Sequence, residues 1–272
     1  MQFSIANISF KDLGFASTLS FLKKHSICGI EVAPTLYWQE PVLLSKDQRL
    51  EFKKTVSGEG LEVIGLFSLL YNQSGLQLFG EAQSRDNCLD YLKKTAELCF
   101  DLGAKILSFG AVSNRKKGDM ELNRAQEIAV VFFKELALYC ESLGVTCCIE
   151  PIASQYGCDF ITTADEGAEL VRMVKKPNFG LLLDSGSMAL NNEDICGKIV
   201  QYKDILYHFH ANDPYLSPLS KDKINHPAIT ASLVEIGYSH WVTFEYLSCG
   251  NFDDEVSAAM AFYNRKNRFI AI

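Results

Sequence analysis

The feature that most constrains the fold is an alternation of short, largely β-branched apolar runs with longer amphipathic segments. Such runs predict strands buried on both faces, and the amphipathic segments predict helices that cover a parallel sheet. Eight such units follow one another along the 272 residues. The predicted strands are residues 4–8, 29–32, 63–66, 105–109, 146–149, 180–183, 206–210 and 242–246. The predicted helices are residues 15–24, 46–58, 85–102, 123–143, 164–174, 193–202, 227–236 and 253–264.

Eight strand–helix units in a chain of this length predict an α/β fold, a (β/α)8 TIM barrel, since such barrels typically have about 250 residues. The main alternative is an open, doubly wound sheet, which usually carries a glycine-rich phosphate loop after its first strand. Here Ile8 is followed by Ser-Phe-Lys-Asp-Leu-Gly, without the GxGxxG pattern. No proline-rich linker or low-complexity tract divides the chain, so we expect a single domain over residues 1–272.

Charge and hydropathy limit the classes of partner that we expect this chain to bind. The chain has 26 Lys and Arg against 33 Asp and Glu, a formal charge of −7. Nucleic-acid binding needs a surplus of basic residues, so a small-molecule substrate fits better. No apolar stretch approaches the roughly 18–20 residues of a membrane helix, so no membrane partner is expected. Residues 1–11 lack the pattern of a secretory signal, which predicts a cytoplasmic protein, and the nine cysteines, without any CxxC pair, predict reduced core thiols.

Four consecutive predicted strands end in residues that can bind a metal. In such a barrel, the chemistry takes place at the carboxy-terminal ends of the strands. The fifth strand ends at Glu150, the sixth at Asp184, the seventh at His210, and the eighth contains Glu245. Burying three carboxylates together is costly unless a cation neutralises them. The pattern therefore predicts one divalent ion, with Mn²⁺ or Mg²⁺ favoured by the oxygen-rich set and Co²⁺ or Zn²⁺ as alternatives.

The remaining histidines are predicted to play other roles. His208 shares a strand face with His210 but lies one layer deeper. We therefore interpret His208 as a hydrogen-bonded core residue or as a partner of the metal ligands. His208 also stays a candidate for substrate binding. His25, His226 and His240 flank predicted helices and are expected at the surface.

The order and spacing of these residues resemble the sugar isomerase and epimerase superfamily, the xylose-isomerase-like barrels, and most closely its sugar phosphate isomerase/epimerase-like branch. The motifs that carry the resemblance are Ile149-Glu150-Pro151, Leu183-Asp184-Ser185-Gly186, His208-Phe209-His210 and Phe244-Glu245, supported by the segments 29–35 and 237–238. The resemblance spans nearly the whole chain. It implies that Glu150, Asp184, His210 and Glu245 bind the metal, and that Glu150 and Glu245 are the catalytic acid/base pair that moves a proton next to a carbonyl.

Two positions depart from the pattern of the ketose 3-epimerases in this superfamily. Those enzymes carry a histidine three residues after the strand-six aspartate, where this chain has Ser187. They also carry an arginine six residues after the metal histidine, where this chain has Leu216. The metal set is retained while the substrate set differs. Either the substrate is not a free ketohexose, or catalysis has been partly lost.

Further rim residues are candidates for substrate binding. Arg115, in a basic cluster after the fourth strand, is either a solvated loop residue or a cation for a substrate phosphate or carboxylate. Glu31 ends the second strand, Trp38 offers a ring for stacking on a sugar, and Tyr156 lies in the loop after Glu150. Weaker candidates of the same kind are Asn7 and Ser68.

These observations predict an enzyme, a metal-dependent aldose–ketose isomerase or ketose epimerase acting on a sugar or sugar phosphate. A dehydratase of a polyol or inosose begins with the same proton abstraction and stays an alternative, as does a non-catalytic sugar-binding barrel. A DNA-repair endonuclease of the related barrel type would need more histidines and a basic face. Barrels of this kind often pair through loops and helices, so a homodimer or homotetramer is compatible with the sequence.

Overall fold

Eight parallel strands pair in chain order, and the eighth pairs with the first, which closes the sheet into a barrel. The structure is a computed structural model that describes residues 1–263. The strands are β1 (Gln2–Ala6), β2 (Gly29–Val32), β3 (Glu62–Leu66), β4 (Ile106–Phe109), β5 (Thr146–Ile149), β6 (Phe179–Asp184), β7 (Leu206–Ala211) and β8 (Trp241–Phe244).

The helices pack around the outside of the barrel, and α1 to α5 each lie between two consecutive strands. The α-helices of the described residues are α1 (Phe15–Lys24), α2 (Lys46–Gly58), α3 (Ala82–Asp101), α4 (Leu122–Leu143), α5 (Ala164–Val174), α6 (Ser185–Leu190), α7 (Ile195–Gln201), α8 (His226–Glu235) and α9 (Phe252–Tyr263). Short 3₁₀ turns shape the loops that follow β1, β2, β4, β5 and β7, and they lie at Asn7–Phe10, Pro34–Leu36, Pro41–Leu43, Val112–Asn114, Ser154–Tyr156 and Pro214–Leu216. The predicted TIM barrel is therefore confirmed.

Strand register places the predicted ligands at one end of the barrel. In the β6–β7 pair, Leu182 is aligned with His208 and Asp184 with His210. Because side chains alternate along a strand, Leu182 and Asp184 point to the same face, two residues apart. Leu182 belongs to a small apolar cluster with Ile64, Ile106 and Cys148. That cluster forms a layer beneath the strand ends on which the polar site rests.

Element boundaries differ from the sequence prediction at a few places. The first strand is β1, not residues 4–8, because the chain turns into a 3₁₀ helix at Asn7. The short helix α6 was missed, since it begins directly after Asp184, whose carboxylate accepts a hydrogen bond from the backbone N–H of Ser187. The predicted helix 193–202 is the shorter α7. Residue 264, the predicted end of the last helix, lies outside the described residues.

Within residues 1–263, no helix is both long enough and apolar enough to cross a membrane.

Candidate metal centre and substrate cavity

The four predicted ligands meet at the carboxy-terminal end of the barrel. Glu150 follows β5, Asp184 ends β6, His210 lies in β7 and Glu245 follows β8. Each offers one ligand atom, and these atoms all lie within 4.8 Å of one another. Asp184, His210 and Glu245 are buried, and Glu150 is nearly so. The arrangement has the composition of a single divalent-cation site with three oxygen donors and one nitrogen donor.

The imidazole of His210 is oriented as a metal ligand would be. Its Nε2 atom lies 3.0 Å from Oε2 of Glu31, which fixes the ring from behind. Its Nδ1 atom lies 2.6 Å from Oε2 of Glu245 and 3.7 Å from Oε1 of Glu150. Nδ1 nevertheless has no partner with hydrogen-bond geometry, although it is buried. A buried nitrogen without such a partner, facing carboxylates, is what a cation between these groups would explain.

Burial and neighbouring carboxylates raise the pKa of two of the acidic side chains, Asp184 and Glu245. Burial, together with the charges of Glu150 and Glu245, raises the pKa of Asp184 to about 7. Burial also raises the pKa of Glu245, and the neighbouring His210 only partly offsets this. Like charges at such distances favour the protonated forms, and a divalent cation would favour the ionised forms instead. The donor set therefore fits a divalent metal.

Asp184 is held in place by groups on α6 and after β7. Its Oδ1 atom accepts the backbone N–H of Ser187 at 2.6 Å, and its Oδ2 atom accepts Nδ2 of Asn212 at 2.6 Å. Asn212 in turn accepts the backbone N–H of Gly186 at 2.8 Å. A Cβ atom at Gly186 would overlap Oδ1 of Asn212, so the glycine is required for this approach. Sequence analysis missed Asn212, although its position two residues after His210 places it on the same strand face.

Glu150 depends on two neighbours outside its own strand. A Cβ atom at Gly110 would overlap Oε2 of Glu150, so the absence of a side chain at residue 110 leaves room for the carboxylate. Arg115 donates a hydrogen bond from Nη2 to the backbone carbonyl of Glu150 at 2.8 Å. These contacts set both the backbone and the side-chain position of Glu150.

Arg115 does not occupy the place that sequence analysis expected. Its side chain is fully buried, and it also donates to the carbonyls of Phe109 and Ile161 and to Sγ of Cys158. It does not line the cavity at the barrel mouth. Local sequence could not reveal this, because the turn that carries the guanidinium inward depends on packing between loops. Arg115 is thus neither a solvated loop residue nor a cation that contacts a substrate.

Glu31 and His208 lie beneath the metal centre. Oε2 of Glu31 is 2.9 Å from Nε2 of His208, and Oε1 accepts the hydroxyl of Ser108 at 2.6 Å. His208 also lies 3.2 Å from Oγ1 of Thr243. Burial acts to raise the pKa of Glu31, but the two histidines outweigh this effect and hold the pKa well below its usual value. Both residues were candidates for substrate contact. The structure places them behind His210, which separates them from the cavity.

A cavity of about 560 Å³ opens above the metal centre. Glu150, Asp184 and Glu245 form its inner end, and Ser68, Tyr156 and Ser187 also line it. The hydroxyl of Ser187 is already engaged, accepting the backbone N–H of Ala153 at 2.7 Å.

Other predicted positions lie away from the cavity. The indole of Trp38 packs against Phe52 with ring centroids 4.8 Å apart, so its predicted stacking on a sugar is not supported by its position. Asn7 accepts the backbone N–H of Ala33. His226, expected at the surface, is fully buried, with Nε2 3.0 Å from Oδ1 of Asp213. His25 and His240 are partly buried at the surface.

Comparisons with known proteins agree with this geometry. An L-ribulose 3-epimerase from Methylomonas sp. (strain DH-1) is 22% identical over 242 residues, which cover 86% of this chain and 79% of that protein. A D-psicose 3-epimerase from Ruminiclostridium cellulolyticum is 28% identical over 161 residues, 57% of this chain and only 53% of that relative. Epimerases are isomerases by reaction class.

Solved structures share the fold. A D-psicose 3-epimerase from Clostridium cellulolyticum H10, crystallised with D-tagatose, superimposes with a TM-score of 0.83 at 19% identity and covers 97% of this chain and 98% of that one. The model of the xylose isomerase-like TIM barrel family matches residues 19–266. The match spans most of the chain and confirms the resemblance seen in the motifs, and the protein belongs to the xylose isomerase-like TIM barrel family.

Proposed function

We propose that this protein is a divalent-metal-dependent sugar isomerase or epimerase that works by moving a proton on the carbon next to a carbonyl. The observation that carries the proposal is the convergence of Glu150 and Glu245 with Asp184 and His210 at the inner end of one cavity. Epimerase activity in the matched relatives supports the same reaction class.

The chain's own residues supply the proton transfer. Glu150 and Glu245 come from different strands, and both line the cavity, so a sugar carbon at its inner end is within reach of two carboxylates. One carboxylate removes a proton from the carbon next to the carbonyl, and the other returns a proton. Return to the opposite face of the same carbon gives an epimer, and return to the former carbonyl carbon gives an isomer. When bound, a divalent ion supplies the Lewis acidity that makes the proton acidic. Asp184 and His210 would hold that ion together with the two glutamates, and Asn212 orients Asp184 while Glu31 orients His210.

The oxygen-rich donor set supports Mn²⁺ or Mg²⁺ as the ion, with Co²⁺ or Zn²⁺ as alternatives. The first experiment is metal analysis of protein purified without added ions, beside the Asp184→Ala and Glu150→Gln variants. We expect about one divalent ion per wild-type chain and loss of the ion in Asp184→Ala, since the variant lacks one of four donors. If the wild type binds no divalent ion even when Mn²⁺ is supplied, the proposal fails.

The second experiment follows proton exchange. Ketoses such as D-psicose, D-tagatose and L-ribulose are incubated with the metal-loaded protein in heavy water and examined by proton NMR. Uptake of deuterium next to the carbonyl with all hydroxyls retained supports an isomerase or epimerase. Loss of a hydroxyl would identify a dehydratase, and saturable binding without exchange would identify a sugar-binding barrel. Assembly into a homodimer or homotetramer stays a prediction, which light scattering on the purified protein tests.

A further inference from the structure

The wall of the cavity above the candidate metal centre is acidic. Three acidic side chains line it, those of Glu150, Asp184 and Glu245, and no Lys, Arg or His is among its lining residues within the described chain. The buried Glu31 lies behind them. The inner end therefore stays net negative even with a divalent ion bound. Inside the cavity this charge repels an anionic group of a substrate more strongly than it would in water.

The three basic residues that follow Asn114 do not line this wall. Arg115 is buried against backbone carbonyls. The Nζ atom of Lys117 donates to the carbonyls of Gly118 and Met120, each at 3.1 Å. The side chain of Lys116 is exposed and is not part of the cavity wall. A substrate phosphate or carboxylate would thus find no cationic partner in the cavity.

The second feature is the volume of the whole cavity and the chemistry of its lining residues. Its volume of about 560 Å³ falls within the range of roughly 300–1,000 Å³ that accommodates drug-sized ligands rather than one small ring. Apart from the carboxylates, the lining residues include the apolar side chains of Phe67, Leu70, Val112, Ile152 and Leu216. Tyr71 is also a lining residue, and its 58% exposure places it where the cavity meets solvent. An exposed tyrosine ring offers an apolar face and a polar tip, which suits a sugar ring.

The loops that carry these side chains are held in defined backbone conformations. Ser68 and Asn72, after β3, have φ values of 53° and 60°, and Tyr215 and Leu216, after β7, have φ values of 63° and 53°. Non-glycine residues in this region are costly and persist only where surrounding contacts enforce them. One such contact is the backbone N–H of Tyr215, which donates to the hydroxyl of Tyr156 at 2.8 Å. Strands β3 and β7 are four positions apart in the barrel of eight, so both sides of the mouth are preformed.

We propose that the natural substrate is an uncharged carbohydrate that carries a second sugar ring, with its carbonyl end at Glu150 and Glu245 and the second ring against Tyr71. This inference rests on the proposed function, which places the reacting carbons at the inner end. The far end of the sugar then points toward the mouth. There the cavity offers apolar surface and room, and it offers no cation for a phosphate.

Three probes that differ only at the far end of one ketose test the proposal. They are D-fructose, D-fructose 6-phosphate and isomaltulose, in which a glucosyl group replaces the phosphate on the same oxygen. Binding to the Mn²⁺-loaded protein is measured by calorimetry, and deuterium uptake is measured separately. We expect isomaltulose to bind at least about fivefold more tightly than fructose, and the phosphate about tenfold more weakly than fructose.

Matched variants locate the effect. Tyr71→Ala is expected to abolish the preference for isomaltulose over fructose, whereas Tyr71→Phe retains it because the ring remains. Phe100→Ala is the control, since Phe100 is an aromatic residue of similar exposure, 53%, on α3 away from the cavity. Ser113→Lys adds a cation to the cavity wall and should reduce the discrimination against the phosphate.

The outcomes separate this inference from the proposed function. The expected order of binding without deuterium uptake would support the inference and contradict the proposed function. Deuterium uptake with the phosphate bound more tightly than fructose, or with isomaltulose excluded, would overturn the inference and leave the function standing. Binding of none of the three probes, or a preference for isomaltulose that survives Tyr71→Ala, would also overturn the inference.

Discussion

The carboxylate of Glu31 and the imidazole of His210 meet inside the barrel, with Oε2 of the first 3.0 Å from Nε2 of the second. The two residues come from β2 and β7, and both are fully buried. An ionised Glu31 accepts a hydrogen bond from Nε2–H, which leaves the lone pair on Nδ1, the atom that faces Glu150 and Glu245. Glu31, which is not one of the four predicted ligands, therefore decides which nitrogen of His210 would be free to bind a metal.

Replacement of this carboxylate should weaken metal binding. Glu31→Gln keeps the size of the side chain but removes the charge that holds the proton on Nε2. We expect the Kd for Mn²⁺ to rise about 10–100-fold, as is typical when the partner of a ligating histidine is lost. Calorimetric titration of the metal-free protein measures it. Glu62→Gln, at an exposed glutamate in β3, is the control, and an unchanged Kd in Glu31→Gln would show that the contact does not orient His210.

Gly110 should be intolerant of any side chain. In Gly110→Ala the new Cβ atom would overlap Oε2 of Glu150, so the carboxylate must move away from its position beside the other ligands. We expect a fold retained by circular dichroism, a Kd for Mn²⁺ raised at least about tenfold, and loss of deuterium exchange, because proton transfer is sensitive to displacements of this size. Gly58→Ala serves as control, since a Cβ atom at Gly58 meets nothing within 4 Å. Tight metal binding and full exchange in Gly110→Ala would contradict the assignment of Glu150.

Arg115 should matter for stability rather than for substrate charge. Arg115→Ala removes a buried side chain that donates to the carbonyls of Phe109, Glu150 and Ile161, and it leaves the carbonyl of Glu150 without its donor. We expect the free energy of unfolding to fall by about 3 kcal/mol or more, measured by chemical denaturation. Lys116→Ala, at an exposed neighbour, should change it by less than about 0.5 kcal/mol.

The milder variant Arg115→Lys separates this structural role from substrate binding. Because residue 115 does not line the cavity, its KM for D-fructose and for D-fructose 6-phosphate should change by the same factor. A selective rise in KM for the phosphate would restore the cationic role that the sequence suggested.

Stability of the metal-free protein should fall as the pH rises. The pKa of Asp184 is raised to about 7 in the folded state, against about 3.9 in an unfolded chain. Because the folded state binds more protons than the unfolded one between these values, stability is lost as the pH climbs from about 4 to 7. Glu245, whose pKa is also raised, acts in the same direction.

Added Mn²⁺ should reverse this trend, since it binds the ionised carboxylates. The gain in Tm on adding the ion should therefore be larger at pH 8 than at pH 5. Thermal unfolding with a chelator and with Mn²⁺ at the two pH values measures it, with Asp184→Asn as the variant in which the gain is reduced. A gain that is equal at both pH values would argue against a cluster of carboxylates as the binding site.

Hydrophobic periodicity was sufficient to predict the barrel. Each strand of this fold is buried on both faces and each helix presents one apolar stripe, so the alternation appears directly in the sequence. The cluster of four candidate ligands was also predictable, because Glu150, Asp184, His210 and Glu245 lie at the ends of consecutive strands, and the fold brings those ends to one rim. Alternation along the strand similarly placed His208 one layer below His210.

Tertiary structure determines the burial and the partners of residues in loops and in the barrel interior. Arg115 lies in a basic cluster that looks solvent-exposed in the sequence, yet it is buried because carbonyls from three chain segments converge on it. Glu31 lies near the end of its strand as the candidate ligands do, but the two histidines opposite it bind its carboxylate beneath the site. His226 is buried because Asp213 offers it a partner inside the fold. Local sequence sets the period of an element and which residues end it. The direction of a loop side chain, and the choice between ligand and support, depend on partners distant in the chain, which only the folded barrel brings into contact.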